Sequence, residues 1–338
     1  MSFTYSYSQP AGDGVDIYIL DTGVYTNHSE FEGRATFPYA AGVYMRVDGH
    51  GHGTHCAGTA AGKTYGVAKN ANIIGIKVLA DNGQGSTTDI VDGLNWVMNN
   101  TKSTGRPSVA SMSLGGSASQ ALDDAVSALI ASGVQVAAAA GNEAQDAQNT
   151  SPAHVPEVLT VAASDIHDAM APFSNFGAVV DVFAPGVNIT SAWIGNPYST
   201  RMVSGTSMAT PQVAGLAAYF LSKDTTLTPA DIASKVKSLA TQNAITGVPS
   251  GTVNVLIYNG GADNSTSQSE TPAVQNPANA TLTDPPTSTE SDVAPSPTSS
   301  DPEADPSSTD SDPDAEPSST DTDANPAPSP TSSDPNEN

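Results

Sequence analysis

The chain carries one cysteine, Cys56, so no disulfide can form within it, and that count leaves the compartment open. No apolar run approaches the roughly 20 residues that a membrane-spanning helix needs. No signal peptide is legible near the start: Val15–Leu20 is too short and reads as a core strand. Positive charge and aromatic rings are missing from one end only. All 11 Lys and Arg, all six His and both Trp fall within residues 1–261, and residues 262–338 contain no Lys, Arg, aromatic or Cys. By count, 16 of the 35 acidic residues lie in that second part; the other 19 outweigh the 11 cations of the first, for a net −8 against −16. Such a balance favours no nucleic-acid partner.

Residues 1–261 are long enough to bury one substantial core. Residues 262–338 have too little apolar surface to fold and repel themselves. They repeat Ala-Pro-Ser-Pro-Thr-Ser-Ser-Asp-Pro at 294–302 and 327–335, the composition of an extended, solvated, often glycosylated spacer. The expected organisation is therefore a folded domain over 1–261 and a disordered acidic tail over 262–338. Asn-X-Ser/Thr triplets at Asn27, Asn99, Asn149, Asn188, Asn264 and Asn279 suit a secreted glycoprotein.

Within the first part, strand and helix patterns alternate. Strands are predicted at 15–20, 73–79, 108–113, 135–140, 158–163, 179–184, 189–194, 199–204 and 253–258. Helical spacing follows Ser86, where Asp89 completes a capping box, and again from Ser117 and Gln120 to Gly133. A further helix opens at Thr228-Pro229-Ala230-Asp231, and a run of small residues from Cys56 to Gly62 reads as a buried one. Alternation of this kind means an α/β fold with a mostly parallel sheet covered on both faces. Ligands of such folds bind beyond the carboxyl ends of the strands, where Asp21, Asp81–Gly85, Ser113–Gly116 and Gly141-Asn142 fall.

Ser207 follows Gly205-Thr206 at the start of an apolar helical pattern, with Pro211 expected in the first turn. By position alone such a serine is a helix cap. As a nucleophile it needs a base, a group to orient the base, and donors for an oxyanion. Asp21 and His52 supply the first two in the chain order Asp, His, Ser that the subtilisin triad also follows.

Three separated motifs carry a specific resemblance: Asp21-Thr22-Gly23-Val24, His52-Gly53-Thr54-His55-Cys56-Ala57-Gly58-Thr59, and Gly205-Thr206-Ser207-Met208-Ala209-Thr210-Pro211. Together they resemble the subtilases, in particular the proteinase K-like branch of fungal secreted proteases. The resemblance implies a subtilisin-like fold and a serine endopeptidase acting through an acyl-enzyme, with Asp21, His52 and Ser207 as triad. It implies Asn142 and the N–H of Ser207 as oxyanion donors, and His55 as structural. Peptide or protein substrates would run between Gly83-Gln84-Gly85-Ser86 and Ser113-Leu114-Gly115, with Ala139-Ala140-Gly141 along the wall of the P1 pocket. Those segments carry no charge, so apolar or aromatic P1 side chains are expected. No cofactor is expected in catalysis. A structural calcium is, held by the carbonyls of Pro156 and Val158 and the carboxylate of Asp181. Cys56 matches a free buried thiol of that branch, and a secreted monomer is implied.

The same resemblance implies a propeptide and leader that this sequence does not show, so an inert truncated subtilase or binding protein is the first alternative. The second is a zinc hydrolase, because His50, His52 and His55 are spaced H-x-H-x-x-H. That spacing wants Asp where Thr54 stands and leaves Ser207 unexplained.

Overall fold

The computed structural model describes residues 5–261; the acidic segment 262–338, with its expected disorder and the triplets at Asn264 and Asn279, lies outside the described residues. Strand β1 (Asp16–Asp21) is followed by β2 (Ala35–Ala40), helix α1 (His52–Ala61), β3 (Asn72–Lys77), α2 (Thr87–Thr104) and β4 (Ser108–Met112). Then come the two-residue β5 (Gly116–Ser117), α3 (Gln120–Ala131), β6 (Gln135–Ala139), β7 (Thr150–Ser151), β8 (Leu159–Ser164) and β9 (Val182–Pro185). A hairpin of β10 (Ile189–Ala192) and β11 (Thr200–Val203) precedes α4 (Thr206–Lys223), α5 (Pro229–Leu239), β12 (Thr241–Gln242) and β13 (Val255–Leu256).

Nine strands form one sheet in the order β12-β13-β9-β8-β6-β4-β1-β3-β2, parallel throughout except for the β12–β13 pair. Strand alternation sends Ile17 and Ile19 of β1 into a core shared with α1 and α4, and Tyr18 and Leu20 into the opposite core with α2 and α3. Both faces are thus covered, which is why β1, β4, β6 and β8 are buried at every residue. The close approach of α1 and α4 depends on small side chains. A Cβ on Gly215 would meet the Ala60 carbonyl at 2.6 Å.

Several local expectations are corrected. Ser117 belongs to β5, paired with β7, and α3 starts at Gln120 with Ser119 as its N-cap. The closing strand shrinks from 253–258 to Val255–Leu256, and the 189–194 and 199–204 segments form a separate antiparallel hairpin. Strand β2 was not foreseen: Ala35–Ala40 contains Pro38, and at a sheet edge its absent N–H costs no ladder bond. Pro211 does not stand in a first turn, because α4 already begins at Thr206. The caps at Ser86 and Thr228 form, each hydroxyl accepting an N–H three residues on, from Asp89 and Asp231. The reciprocal half of the box forms only at Thr228, because Asp89 Oδ2 accepts the Ser86 hydroxyl rather than its N–H.

Candidate active site

Asp21 is the last residue of β1 and His52 the first of α1. Gly51, the N-cap of α1, has φ 100°, and a Cβ there would run into the Trp193 ring, so the turn that presents His52 requires glycine. His52 Nδ1 lies 2.8 and 2.9 Å from the two carboxylate oxygens of Asp21, which is fully buried. Asp48 binds the two segments together. Its buried carboxylate accepts from Thr22 Oγ1 at 2.9 Å, from Gly51 N at 2.8 Å, from Thr54 N at 3.0 Å, and from His50 N and the Thr54 hydroxyl. Thr22 Oγ1 in turn accepts Gly53 N at 3.0 Å. Lys77, in register with Asp21 and buried, donates to the Thr22 carbonyl at 2.7 Å and to Asp81 at 2.6 Å. It therefore ties the turn after Asp21 to the loop that contains Gly83.

Ser207 sits second in α4, among the N–H groups that have no partner within the helix. Pro211 removes the N–H that would bond the Ser207 carbonyl. That carbonyl accepts instead from Ser113 Oγ at 2.8 Å and Cys56 Sγ at 3.5 Å. The Ser207 hydroxyl donates to the Ser113 carbonyl at 3.3 Å, while His52 Nε2 has no hydrogen-bond partner. The serine–imidazole bond is thus not made in this conformer. Asn142 Oδ1 accepts from Thr206 N at 2.8 Å and Thr206 Oγ1 at 3.0 Å, which fixes the amide beside Ser207.

A cavity of about 650 Å³ opens over these groups. His52, Ser207, Asn142, Gly83, Gly85, Ser86, Ser113, Leu114, Gly115, Ala139 and Gly141 all line it. Three expected residues do not: Asp21 stands behind His52, Gln84 points to solvent, and Ala140 is wholly buried. Glu143 joins the wall instead, a carboxylate outside the segments read as uncharged. Its Oε2 accepts Asn142 N at 2.9 Å and Asn175 Nδ2 at 2.8 Å.

Burial opposes charge on His52, yet the Asp21 carboxylate beside it carries its pKa well above 6.5. Burial pushes the Cys56 thiol up, so it stays protonated and is no rival nucleophile. Burial takes His55 down to about 4; its Nε2 meets the Ile189 and Arg201 carbonyls at 3.0 and 3.2 Å and fastens α1 to the β10–β11 hairpin. The three histidines therefore do not converge as a zinc triad.

A scan against protein families matches the subtilase family over residues 12–277. This chain belongs to the subtilase family. The match to this subtilase runs past residue 261, where the sequence alone put a boundary. It is 52% identical over 261 residues to a "Cuticle-degrading protease" of Metarhizium anisopliae, which covers 77% of this chain and 67% of that protein. It is 47% identical over 265 residues to "Alkaline protease 1" of Aspergillus flavus, covering 77% of this chain and 65% of that one. The chain thus spans about two thirds of the length of these curated relatives. Among solved structures it resembles a cold adapted subtilisin-like serine proteinase at 46% identity and a TM-score of 0.70, over 75% of this chain and 91% of that chain.

The calcium reading meets a specific obstacle. Asp181 Oδ2 accepts Thr160 N at 3.0 Å, and Oδ1 pairs with Lys237 Nζ at 3.1 Å. An ammonium therefore stands where a cation would bind, although Lys237 is half exposed and able to swing away. Oxygen donors from Pro156, Val158 and Asp181 remain the right chemistry for a hard ion. No described helix is long and apolar enough to cross a membrane.

Asp48, Lys77, Ser113 and Glu143 were not assigned these contacts from sequence. Asp48 had one usable signal, a carboxylate three residues before Gly51, the N-cap of α1. The other three depend on which strand ends become neighbours.

Proposed function

We propose that this subtilase is a secreted endopeptidase that cleaves peptide bonds through an acyl-enzyme on Ser207. The observation that carries this reading is the 2.8 Å contact of Asp21 with His52 Nδ1, with His52 Nε2 left unpartnered above the cavity that Ser207 lines. Asp21 holds the imidazole in the tautomer whose Nε2 is a base and stabilises the imidazolium that forms. The reaction requires the Ser207 hydroxyl to leave the Ser113 carbonyl and turn to that nitrogen. Hydrogen bonds of this kind often tighten only when substrate arrives.

Nε2 then takes the hydroxyl proton as Oγ attacks the substrate carbonyl, and returns it to the leaving amine. A water repeats the cycle on the ester. Asn142 Nδ2 and the Ser207 N–H are the oxyanion donors, preorganised because Thr206 already occupies Asn142 Oδ1. An extended peptide adds as a strand between Gly83–Ser86 and Ser113–Gly115. Leu114, Ala139 and Gly141 favour apolar or aromatic P1 side chains, with Glu143 setting the charge at one end of the pocket. Calcium, when bound at Pro156, Val158 and Asp181, would brace the loop ahead of β8 against β9 and displace Lys237. It takes no part in bond cleavage.

The test is labelling by a serine-directed fluorophosphonate. Stoichiometric labelling of the wild type, abolished by Ser207→Ala and by prior heat denaturation, is the expected result. A folded chain that takes no label would overturn the reading in favour of an inert groove.

A further inference from the structure

Asn142, the proposed oxyanion donor, stands in the loop after β6, where the backbone bends at Gly141 with φ 107° and again at Ala144 with φ 53°. An alanine resists the left-handed conformation, so contacts from outside the loop must hold it there. Asn175, between β8 and β9 and fully buried, makes those contacts. A carboxamide has two N–H donors and an oxygen with two lone pairs. All four go to this one loop. Nδ2 donates to the Ala140 carbonyl at 2.9 Å and to Glu143 Oε2 at 2.8 Å, and Oδ1 accepts Glu143 N and Gln145 N, each at 3.0 Å. The backbone N–H of Asn175 adds a fifth bond, to the Gly141 carbonyl at 3.0 Å. A Cβ on Gly141 would run into Asn175 Nδ2, so glycine lets the amide lie against the chain.

We propose that Asn175 is a positioning residue for peptide hydrolysis: it fixes the chain on both sides of Asn142 and so aims Asn142 Nδ2 at the developing oxyanion. This role rests on the protease reading above. Thr206 holds Asn142 by its side-chain oxygen only. The main chain of Asn142 is held by Glu143 Oε2, which accepts Asn142 N at 2.9 Å and is itself held by Asn175. Without Asn175 the loop could pivot about the Thr206 contact. Asn175 is in turn referenced to the sheet. Its neighbour Ser174 accepts Ala163 N of β8 at 3.0 Å and donates to the Asn175 carbonyl at 3.0 Å. An oxyanion donor is effective only when it is in place before charge develops. A misplacement of about 1 Å can cost about 10²-fold in rate.

A side chain that served the fold alone would, when changed, lower stability and leave turnover per folded site intact. Three measurements separate the two roles. Asn175→Asp keeps the shape and the accepting oxygen, but turns a second oxygen toward the Ala140 carbonyl and the Glu143 carboxylate. Asn175→Ala removes all four side-chain bonds. With kcat counted per site titrated by fluorophosphonate, at alkaline pH where the introduced acid is ionised, each variant should lose about tenfold or more in kcat with KM little changed. In an Asn142→Ala background the same changes should cost less than about threefold, because the donor they aim is gone. Hydrogen exchange should accelerate across 141–145 in Asn175→Ala while β6 and β8 stay protected.

Wild-type kcat per site in Asn175→Asp overturns the proposal. So does an equal loss with and without Asn142, or unchanged exchange across 141–145. Asn175→Ser, which keeps one hydroxyl, replaces a variant that does not fold; failure of all three to fold would assign the side chain to the fold and overturn the proposal as well. A wild type that hydrolyses nothing sinks the protease reading, and with it the kinetic role of Asn175. Wild-type turnover that survives both variants sinks the role of Asn175 alone.

Discussion

Ser113 and Ser207 exchange two hydrogen bonds, hydroxyl to carbonyl in each direction, at 2.8 and 3.3 Å. The first exists because Pro211 leaves the Ser207 carbonyl without its helical donor. Ser113→Ala leaves only the weak Cys56 contact. We expect a stability loss of about 1–2 kcal/mol by denaturant titration. A several-fold fall in kcat, with KM little changed, should accompany it, because the first turn of α4 is no longer fixed. Unchanged kcat would show that Pro211 alone sets the position of Ser207.

The raised pKa of His52 has a sign that pH profiles read. Only neutral imidazole accepts the serine proton, so kcat/KM should climb through an apparent pKa above 6.5 and level off on the alkaline side. The stability given by the Asp21–His52 pair runs the other way. It is full below the unfolded value near 6.5 and lost as pH rises through the folded one. In Asp21→Asn the carboxylate that holds the value up is gone, so the limb moves to lower pH while kcat falls about 10⁴-fold. A limb that stays in place in Asp21→Asn would remove Asp21 as the cause.

Asn142 is held through its oxygen and offers its nitrogen. Asn142→Ala should lower kcat by about 10²–10³ with little change in KM, the loss known for such a donor in subtilisin. Thr206→Val removes one of the two bonds to Oδ1, and a smaller fall of the same kind is expected. Steady-state kinetics on a single peptide separates them, and an equal effect on KM would argue for ground-state binding.

Glu143 is the carboxylate on the wall of the cavity. Glu143→Gln should reduce cleavage after Lys or Arg relative to cleavage after Phe or Leu by a few-fold, the scale of a partly solvated charge pair. Competition between matched P1 peptides measures this directly, and an unchanged ratio would place Glu143 outside P1 recognition.

Lys237 and a cation compete for Asp181. In Lys237→Met, calcium should raise the melting temperature more than in the wild type, with half the effect reached at a lower concentration. Equal calcium responses in the two chains would exclude that competition.

Local signals were legible in the sequence because their causes are local. The caps at Ser86 and Thr228, the buried strands, and the three short motifs that carry Asp21, His52 and Ser207 are each written within a few residues. Folding supplied the relations between distant segments. It set β1 between β3 and β4, so that Lys77 reaches Thr22, and brought the end of β4 under α4, so that Ser113 meets Ser207. It also drew Glu143 into a wall that the sequence had left uncharged, and turned His55 away from His50 and His52. Each of those contacts joins residues brought close only by the sheet's strand order, and no periodicity along the chain encodes that order.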